Sequence, residues 1–580
     1  MRAWDIDKVA RAAGASVVHR PGDGTERGGG TRDERAVAPP GPMGVSVDSR
    51  VLAPGELFVG LAGERVDGGE YAAQALQAGA WGVLVAPEHA LAVAAIAQAT
   101  AAGAAPGPGG LSGAGWFPGA GVIPRAGGSP GTGVIPGAGG FSGDGVVLAH
   151  PDPLAGLQWL ARAWLSELRV AGGARVVAIT GSTGKTSTKD ILAAMLSPHL
   201  RTVASPENLN TEIGLPLAIL AAPAGTEALV LEMAMRGRGQ IAELTRIGEP
   251  DVGVIVNVGP VHLEQMGSIE GVAEAKGELI EGLKPGASAI VPADEPLLDL
   301  YRREDVRTVT FGPGGDVQLA EHQEDGGVVI LDGMSAGQSP ASPRDRAPAI
   351  TVPSEPARIV LKPSFKQEHN LRNLLAAVAA ARALGVTPGG EVSVRFSALR
   401  GERVQLSEGI VLIDDCYNAN PLSMRAAIDD LGETAPGRRV AVLGDMLELG
   451  PDELRFHREI GAHAAKRGVD VLVTVGSLAG EMAGAFADAD AGEGRGERKT
   501  HSVPDAPAAG QLLGGLLAPG DTVLVKGSRG VGLERVGQVL LARDRQRTPS
   551  TARGPAAPAR AQAGAGGRDA ATDRAQAGGR

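Results

Sequence analysis

The segment RVVAITGSTGKTSTKD at residues 175–190 constrains the fold of this chain more than any other part of its sequence. A β-branched run ends at Thr180, and two glycines, Lys185, Thr186 and a helical pattern follow it. This order of strand, glycine loop, Gly-Lys-Thr and helix is typical of a phosphate-binding loop. The glycines let the backbone wrap around phosphate oxygens, and the N–H groups at the helix N-terminus point at the anion.

The loop therefore predicts nucleotide binding, with Lys185 reaching the outer phosphates and the Thr186 hydroxyl ligating Mg²⁺. Its spacing departs from the usual eight-residue pattern, because Ile179 stands where the first glycine is expected. The alternative is an ordinary glycine-rich strand-to-helix turn, which leaves Lys185 without a role. The predicted loop residues are Gly181, Ser182, Thr183, Gly184, Lys185, Thr186 and Ser187.

Apolar strands alternate with helical patterns over most of the chain, which predicts an α/β protein with parallel sheets. Strands such as RRVAVLGD and DVLVTVG are near-continuous runs of apolar residues, as expected for strands buried on both faces. A length of 580 residues suffices for three domains. We predict a small N-terminal α/β domain at 1–150, a central domain with a phosphate-loop ATPase-like parallel sheet at 151–363, and a C-terminal Rossmann-like α/β domain at 364–545.

Four segments are rich in Gly, Pro or charge and poor in apolar residues. The longest, 101–145, contains GAGVIPRAGG and its near-repeat GTGVIPGAGG, and it holds too little apolar mass to offset the entropy cost of ordering it. We predict a disordered insertion there; the alternative is a partner-binding loop around Trp116 and Phe117. The other segments are 21–43, 323–357 and a basic tail at 546–580 that we predict to be disordered.

Composition excludes several classes of protein. The net charge of −11 argues against nucleic-acid binding, and the single cysteine, Cys416, excludes an intramolecular disulfide and a multi-cysteine zinc site. The start MRAWDIDKVARAAG lacks the apolar segment of a signal peptide, and no uncharged apolar run reaches the roughly 18 residues of a membrane span. We therefore expect a cytoplasmic protein that does not insert into the membrane.

Polar groups follow two further strands of the central block, at the edge where open α/β sheets bind ligands. EALVLEMA is apolar until Glu232, the position of an acidic Mg²⁺ ligand opposite the phosphate loop. DVGVIVNVGPVHLEQMG carries His262 in the loop after its strand. Taken alone, Glu232 could be a helix cap and His262 could be a loop residue with satisfied hydrogen bonds. The presence of both at the same edge of the sheet favours a phosphate and metal site. The pattern around Lys276 predicts a surface lysine on an amphipathic helix.

The third block carries polar clusters of the same kind. HNLRNLLAAVAAARALG opens with Asn370 and Asn373, which either bind a ligand or cap the helix. In DDCYNANPLSM, the Asp415 carboxylate suits ribose hydroxyls and Tyr417 is placed to stack on a base; the alternative is a polar turn ending in Asn-Pro. LVKGSRGVGLERV ends a strand with Lys526, which either meets phosphate or carboxylate or is solvated.

Taken in order, eight segments resemble the motif series of the Mur ligases. They are GSTGKTSTKD, ENLNTEIGLPLAIL, LEMAMRGRGQI, NVGPVHLEQMGSIEGVAEAKGEL, HNLRNLLAAVAAA, DDCYNANPLSM, LGDMLELG and VKGSRGVGLERV. DSRVLAPGELFVGLAGERVDG is similar to the UDP-binding domain that two branches of this family share. The resemblance runs from Asp48 to about Val536 and leaves out the glycine-rich insertion, 323–357 and the basic tail.

The resemblance implies an ATP-dependent ligase that forms an amide bond. In this family a carboxylate attacks the γ-phosphate of ATP, an acyl phosphate forms, and the incoming amine displaces phosphate. The resemblance is strongest to members that add D-alanyl-D-alanine to UDP-N-acetylmuramoyl-tripeptide, giving ADP, phosphate and UDP-N-acetylmuramoyl-pentapeptide for peptidoglycan. It implies these two substrates as partners, and we further expect a monomer, no nucleic acid, and weak contacts of the disordered segments with cell-wall synthesis proteins.

The resemblance also implies roles for individual residues. Lys185 neutralises the β- and γ-phosphates, and Thr186, Glu232 and His262 ligate Mg²⁺. Lys276 carries a CO₂-derived carbamate that ligates a second Mg²⁺. This implied role differs from the surface position that the local sequence pattern predicts for Lys276. The implied ATP contacts beyond the loop are Asn370, Asn373, Arg403, Asp415, Tyr417 and Asn420. The implied contacts to the other substrates are Ser49, Arg50, Asn208, Asn210, Thr211 and Lys526, of which Lys526 also lies near the phosphates after the C-terminal domain closes.

Two other functions stay open. The related ligase that adds the third amino acid shares the N-terminal pattern, but the Asp-Asn-Pro-Arg sequence expected of it is absent from this chain. A non-catalytic nucleotide-binding protein would keep the Gly-Lys-Thr loop and could lose the metal-site residues. Glu232, His262 and Lys276 are all present, which counts against that function.

Overall fold

A computed structural model describes most of the chain outside its glycine-rich segments. The described ranges are 1, 3–21, 41–101, 145–206, 208–323, 326–334, 357–489 and 498–547. Nearly all of the predicted insertion, with Trp116 and Phe117, and nearly all of the predicted tail lie outside them, as do most of 21–43 and 323–357. Within these ranges the strands form three sheets, which confirms the predicted α/β class.

The N-terminal part of the described chain is a small, mostly parallel sheet. Its strands are β1 (Ser16–His19), β2 (Val45–Ser46), β3 (Leu57–Val59), β4 (Gly82–Val85) and β5 (Val146–Ala149), and its helices are α1 (Ile6–Ala13), α2 (Ala72–Gln77) and α3 (Pro87–Ala101). The strand order is β1-β5-β4-β3-β2, and β1 pairs antiparallel with β5. The Asp5 side chain caps α1 by accepting from the Lys8 N–H at 2.7 Å, and Gly14 ends it in the left-handed conformation.

The central part is the largest sheet. Its strands are β6 (Arg175–Thr180), β7 (Thr202–Ala204), β8 (Ala228–Glu232), β9 (Val252–Ile255), β10 (Ser288–Pro292), β11 (Arg307–Phe311), β12 (Val317–His322), β13 (Val328–Asp332), β14 (Ala357–Pro363) and β15 (Gly390–Val392). Its helices are α4 (Pro153–Gly172), α5 (Lys185–Leu196), α6 (Gly214–Ala221), α7 (Gln240–Gly248), α8 (Leu263–Met266), α9 (Ile269–Glu281) and α10 (Glu368–Ala383). The order is β15-β14-β13-β12-β11-β10-β9-β6-β8-β7, with β13 antiparallel to both neighbours.

Helix α10 and strand β15 join this central sheet, although the boundary predicted between residues 363 and 364 assigns them to the C-terminal domain. β15 pairs parallel with β14, so that Leu361 faces Gly390. The Ala and Leu side chains of α10 share a buried cluster with Val177 of β6 and Val254 of β9. A helix this apolar must bury its surface, and the central sheet is where it does so. The central sheet therefore continues past the predicted boundary.

The C-terminal part is a second open sheet. Its strands are β16 (Glu402–Gln405), β17 (Val411–Asp414), β18 (Arg439–Gly444), β19 (Val471–Val475), β20 (Lys499–Val503) and β21 (Thr522–Lys526). Its helices are α11 (Pro421–Thr434), α12 (Glu453–Lys466), α13 (Gly480–Asp488), α14 (Ala506–Leu516) and α15 (Glu534–Arg547). The order is β16-β17-β21-β18-β19-β20, and all pairs except β16 with β17 are parallel.

The N-terminal sheet is attached to the central one through α1 and α4. The Trp4 indole N–H donates to the Glu167 carboxylate on α4 at 2.5 Å, and the Trp4 ring meets Trp164 edge to face at 5.7 Å. These aromatic contacts fall within one continuous buried cluster that spans both sheets. Among the described residues, no helix has the length and apolar composition that crossing a membrane requires.

Candidate active site

The loop between β6 and α5 has the conformation that phosphate binding requires. Gly184 precedes the helix at φ 79°, a left-handed conformation that favours glycine. A Cβ atom there would also lie 2.7 Å from the Asn373 Oδ1 atom, which is too close for a side chain unless Asn373 moves. The Thr183 N–H donates to Asn257 Oδ1 at 3.0 Å, and Asn257 Nδ2 donates to the Thr183 carbonyl at 3.1 Å. The strand-end residue Asn257 thus fixes the loop from the neighbouring strand.

Lys185 is the first residue of α5 and lines the cleft above the loop. Its Nζ donates to the Gly181 carbonyl at 2.9 Å, which curls the side chain back over the loop. Burial lowers the pKa of Lys185; the Glu232 carboxylate opposes this shift and the Arg400 guanidinium adds to it. The Lys185 amino group is therefore held against the loop and at the cleft.

Thr186 and Glu232 form the acidic corner of the site. The Thr186 hydroxyl donates to Glu232 Oε2 at 2.7 Å, and Asn210 Nδ2 donates to Glu232 Oε1 at 3.0 Å. Glu232 is the last residue of β8 and is 1% exposed, and its backbone N–H donates to Ser205 Oγ at 3.0 Å. A hydroxyl and a carboxylate at this position are a donor set suited to Mg²⁺, which usually takes one or two carboxylates and fills its shell with phosphate and water oxygens.

Lys276 is buried in α9 at 1% exposure, so the surface position predicted from its pattern is wrong. Two carboxylates of the same helix are bound elsewhere, Glu274 by Arg238 and Glu278 by the backbone N–H groups that begin α7. Within the described residues, the structure gives Lys276 no hydrogen bond or ion pair. Burial first, and then the charge of Lys185, bring the pKa of Lys276 well below its usual value.

His262 lies in the loop after β9 and lines the same cleft. Its backbone is left-handed, at φ 51°, and its Nδ1 contacts the Oε2 atom of Glu448. Burial lowers the pKa of His262; the Glu448 carboxylate opposes the shift, while Lys185 and Lys276 add to it. Sequence reasoning did not single out Glu448, although it lies in the quoted motif LGDMLELG.

These groups border one cleft of about 1470 Å³ between the central and C-terminal sheets. The predicted residues that line it are Ser182, Thr183, Gly184, Lys185, Ser187, Asn208, Asn210, Thr211, Glu232, His262, Asn370, Asn373, Arg403, Asp415, Tyr417, Asn420 and Lys526. Gly181, Thr186 and Lys276 are not part of the lining, and Thr186 and Lys276 are each 1% exposed. Ser49 and Arg50 lie in the N-terminal part, where Arg50 pairs with Asp48 at 2.6 Å.

Two of the predicted cations on the C-terminal side of the cleft, Lys526 and Arg403, pair with carboxylates. Lys526 Nζ lies 2.7 Å from Asp415 Oδ2, which brings together two residues whose implied roles were separate. Arg403 lies 2.8 Å from the Asp430 carboxylate, so its guanidinium is engaged within the C-terminal sheet. The Asn420 side chain caps α11 by accepting from the Ser423 N–H at 2.9 Å.

Arg400 is a cleft residue that sequence reasoning missed. Its guanidinium lies 4.0 Å from the centre of the Tyr417 ring, and that of Arg529 lies 5.5 Å away. The ring predicted to stack on a base therefore already contacts two cations. The sequence SALRGERVQ offers both Arg400 and Arg403, and only the fold decides that the charge of Arg400 lowers the pKa of Lys185 while Arg403 pairs with Asp430.

Three family models match the chain. The Mur ligase middle domain matches residues 179–381, the Mur ligase glutamate ligase domain matches 399–529, and the Mur ligase family catalytic domain matches 43–106. The UDP-N-acetylmuramoyl-tripeptide–D-alanyl-D-alanine ligase of Bacillus subtilis is 33% identical over 86% of this chain and 93% of its own length. The chain belongs to the Mur ligase family.

Further relatives agree with this assignment. The enzyme of the same name from Mycobacterium tuberculosis is 35% identical to this Mur ligase over 86% of the chain and 92% of its own length. Among solved structures, MurF of Thermotoga maritima in complex with ADP has a TM-score of 0.63 and 26% identity, covering 87% of this chain and 98% of the other. MurF of Acinetobacter baumannii, at 23% identity and 93% and 99% coverage, has a TM-score of 0.66 and supports the three-domain fold.

Proposed function

We propose that this Mur ligase joins D-alanyl-D-alanine to UDP-N-acetylmuramoyl-tripeptide at the expense of ATP, through an acyl phosphate. The tripeptide carboxylate attacks the γ-phosphate and ADP leaves; the dipeptide amine then displaces phosphate and loses a proton as the amide forms. The observation that carries the proposal is the phosphate loop, with Lys185 in the cleft and the Thr186 hydroxyl on Glu232 at 2.7 Å. The relatives named for this reaction match 92–93% of their own length.

The protein's contribution to such a reaction is positioning and charge neutralisation. The loop amides and Lys185 face the β- and γ-phosphates, where negative charge must be balanced for a carboxylate to approach. Asn257 and Ser182 hold the loop in place, since Ser182 Oγ donates to the Gly259 carbonyl at 3.0 Å and the Gly259 N–H donates back to Ser182 Oγ at 2.9 Å. The donors are therefore oriented before the substrate arrives.

The donor set fits Mg²⁺ bound jointly by protein and nucleotide. No cluster of three or more His, Cys, Asp or Glu side chains suited to a metal occurs in the described ranges, which agrees with an ion that takes its remaining ligands from phosphate and water. Thr186 and Glu232 would hold the first ion and His262 would ligate beside the γ-phosphate. Bound there, Mg²⁺ supplies charge neutralisation at the phosphate oxygens.

Lys276 fits the proposed carbamate for a physical reason. A buried ammonium without a carboxylate partner is costly, and a lowered pKa favours the neutral amine, which is the form that adds to CO₂ with release of a proton. The product is an anion next to Lys185, so modification places opposite charges side by side, where a protonated Lys276 would repel Lys185. Its oxygens would be ligands for a second Mg²⁺.

The remaining predicted residues are proposed to hold the substrates. Asn370, Asn373, Asp415 and Tyr417 would contact the nucleoside of ATP once Arg400 and Lys526 exchange their present contacts for it. Asn208, Asn210 and Thr211 line the cleft beside Glu232 and would contact the muramoyl peptide, and Ser49 and Arg50 would contact its uridine nucleotide. Because both substrates and ATP are cytoplasmic metabolites, we place the proposed reaction in the cytoplasm, carried out by a monomer.

The deciding experiment is phosphate release from ATP and Mg²⁺ in the presence of UDP-N-acetylmuramoyl-tripeptide, with and without D-alanyl-D-alanine. We expect release that depends on both substrates, and a UDP-linked pentapeptide by mass spectrometry. Release with a UDP-muramoyl-dipeptide and a free diamino acid instead would assign the chain to the third-residue ligase. No turnover with any acceptor would overturn a catalytic role.

A further inference from the structure

His262 and Glu448 come from different sheets, 186 residues apart, and meet at the edge of the cleft. His262 follows the central strand β9, and Glu448 follows the C-terminal strand β18. Both residues have left-handed backbones, at φ 51° and φ 64°. For side chains other than glycine this conformation costs free energy, so the surrounding contacts must hold each loop in it.

The loop that carries Glu448 is fixed from three directions. The Met446 N–H donates to His457 Nε2 at 3.0 Å, and the Leu447 N–H donates to Ser528 Oγ at 3.0 Å. The Asp445 carboxylate accepts from the Ala479 N–H at 2.6 Å. His457 is fully buried, and its Nδ1 lies 2.6 Å from the Glu453 carbonyl, so the imidazole joins the loop to α12. Glu448 is therefore presented by a rigid loop rather than by a free surface side chain.

The loop that carries His262 meets the same loop through further contacts. The Glu264 N–H approaches the Glu448 carbonyl at 3.5 Å, and a Cβ atom on Gly450 would lie 3.5 Å from the Glu264 nitrogen. Leu263 packs against the buried clusters of both the central and the C-terminal parts. The pair is thus part of a contact between the two sheets, formed where the cleft closes.

The contact decides which nitrogen of His262 carries a proton. A carboxylate only accepts hydrogen bonds, so the Nδ1 that contacts Glu448 must be the protonated nitrogen. In a neutral ring this leaves Nε2 with its lone pair, and the structure gives Nε2 no hydrogen bond within the described residues. Neutral imidazole in water favours the other tautomer, with the proton on Nε2. An Nε2 lone pair that is available to a metal ion therefore needs an acceptor at Nδ1.

We propose that Glu448 is a positioning residue for the reaction: by docking on His262, the C-terminal part sets the Nδ1–H tautomer and leaves the Nε2 lone pair free for the metal site. Closure of the cleft then sets the protonation of the His262 ring as well as bringing the two parts of the site together. A nucleotide bound to the central part alone would face a histidine in the wrong tautomer, which couples turnover to docking. The catalytic consequence rests on the proposed function, whereas the tautomer does not.

The test measures the tautomer directly on the full-length protein, without substrates. Protein labelled with ¹⁵N-histidine is examined by long-range ¹H–¹⁵N correlation, and His262→Gln identifies the His262 signals among the ten histidines. We expect Nδ1 to be protonated in the unmodified chain and in Glu448→Gln, whose amide oxygen still accepts. In Glu448→Ala we expect a shift to the Nε2–H tautomer. The control is Asp452→Ala, because Asp452 pairs with Arg455 of the following helix and not with His262.

Kinetics and scattering complete the test. We expect Glu448→Ala to lower kcat by about 10- to 100-fold, with a smaller change in KM for ATP. Glu448→Gln should retain most of the kcat of the unmodified chain, and Asp452→Ala should have the same kcat as the unmodified chain. Small-angle scattering of each variant reports whether the two parts still dock. An unchanged His262 tautomer in Glu448→Ala overturns the proposal. If Glu448→Ala changes the tautomer but neither the unmodified chain nor any variant shows ligase turnover, the proposed function is overturned. The contact between Glu448 and His262 is then still supported.

Discussion

The phosphate-loop side of the cleft and its C-terminal side hold their cations in opposite ways. On the phosphate-loop side, the described contacts of Lys185 end at a backbone carbonyl, and those of Lys276 include no carboxylate. On the C-terminal side, Lys526 lies 2.7 Å from Asp415 and Arg403 lies 2.8 Å from the Asp430 carboxylate. The phosphate-loop side thus holds buried lysines without a carboxylate at ion-pair distance, whereas Lys526 and Arg403 on the other side are each paired with one.

The two sides of the cleft therefore differ in how much a bound ligand stabilises them. A buried cation without a counter-ion raises the free energy of the folded protein, and a bound phosphate or a carbamate relieves that cost. An internally paired cation gains less from a ligand, because it must first give up a partner. Substitutions on the phosphate-loop side should therefore act mainly on turnover, and those on the C-terminal side on nucleotide affinity and stability.

The largest effect is expected for Lys185→Ala. Removing the cation leaves the transferring phosphate without charge compensation, and kcat for phosphate release should fall by about 100- to 1000-fold. The matched control is Lys284→Ala, an exposed lysine that pairs with Glu249 far from the loop, and its kcat should be unchanged. Near-normal turnover in Lys185→Ala would remove the loop from the proposed mechanism.

Lys276→Ala tests the second lysine of the phosphate-loop side. We expect a loss of about 100-fold in kcat, partly rescued by acetate, because a small carboxylate can occupy the space of the missing carbamate. The measurement is steady-state phosphate release with increasing acetate, and Lys185→Ala under the same conditions should show no rescue. Full activity of Lys276→Ala in the absence of acetate would contradict the carbamate.

The same lysine predicts a pH dependence of stability in CO₂-free buffer. An unfolded lysine binds its proton up to a pH of about 10.4, whereas the pKa of folded Lys276 is well below its usual value. Between these two pKa values the unfolded chain binds more protons, so the free energy of unfolding should rise with pH. Denaturant unfolding at pH 7 and pH 9.5 should show this rise, and Lys276→Met should lack the part of it that Lys276 contributes.

On the C-terminal side, Lys526→Ala should raise KM for ATP more than it lowers kcat. Lys526 is 2% exposed and also donates to the Asn418 carbonyl at 3.1 Å, so its loss disturbs the nucleoside side of the cleft. We expect about a 10-fold change in KM, the scale of one charge-assisted contact. Equal losses in kcat from Lys526→Ala and Lys185→Ala would erase the contrast between the two sides.

Arg403→Ala should affect stability more than chemistry. Asp430 is 8% exposed, and without Arg403 its buried carboxylate loses its ion-pair partner. We expect this loss to lower the free energy of unfolding by about 1–3 kcal/mol, a range that allows for the partial exposure of the arginine. Thermal and denaturant unfolding measure the loss. A large fall in kcat with unchanged stability would instead support Arg403 as one of the ATP contacts that the family resemblance implies.

The smallest effect is expected from removing residues 548–580. The removable tail starts after Arg547, where α15 ends, because Asp544 accepts from the Ser407 N–H at 2.7 Å and Arg543 donates to the Gly510 carbonyl at 3.2 Å. Truncation after Arg547 should leave kcat unchanged, whereas truncation after Leu541 should lower the melting temperature. A turnover defect in the shorter deletion would give the tail a catalytic role.

Local sequence patterns are enough to predict the phosphate loop, the α/β class and the position of Glu232 and His262 at the ligand-binding edge of the central sheet. These inferences succeed because each depends on a short segment: a strand, a glycine turn and a helix start within sixteen residues, or a polar residue at the end of an apolar run. Parallel strands bring their carboxyl ends to one edge whatever the rest of the chain does.

The contacts that these residues make depend on the three-dimensional fold and could not be read from the sequence. The burial of Lys276, the effect of the Arg400 charge on the pKa of Lys185, and the pairing of His262 with Glu448 all depend on segments far apart in the chain. Local periodicity describes which face of a helix is apolar, but not which neighbour covers a charged residue. Whether a lysine of the site has a carboxylate partner is set by packing between sheets, because a counter-ion matters only within a few ångströms.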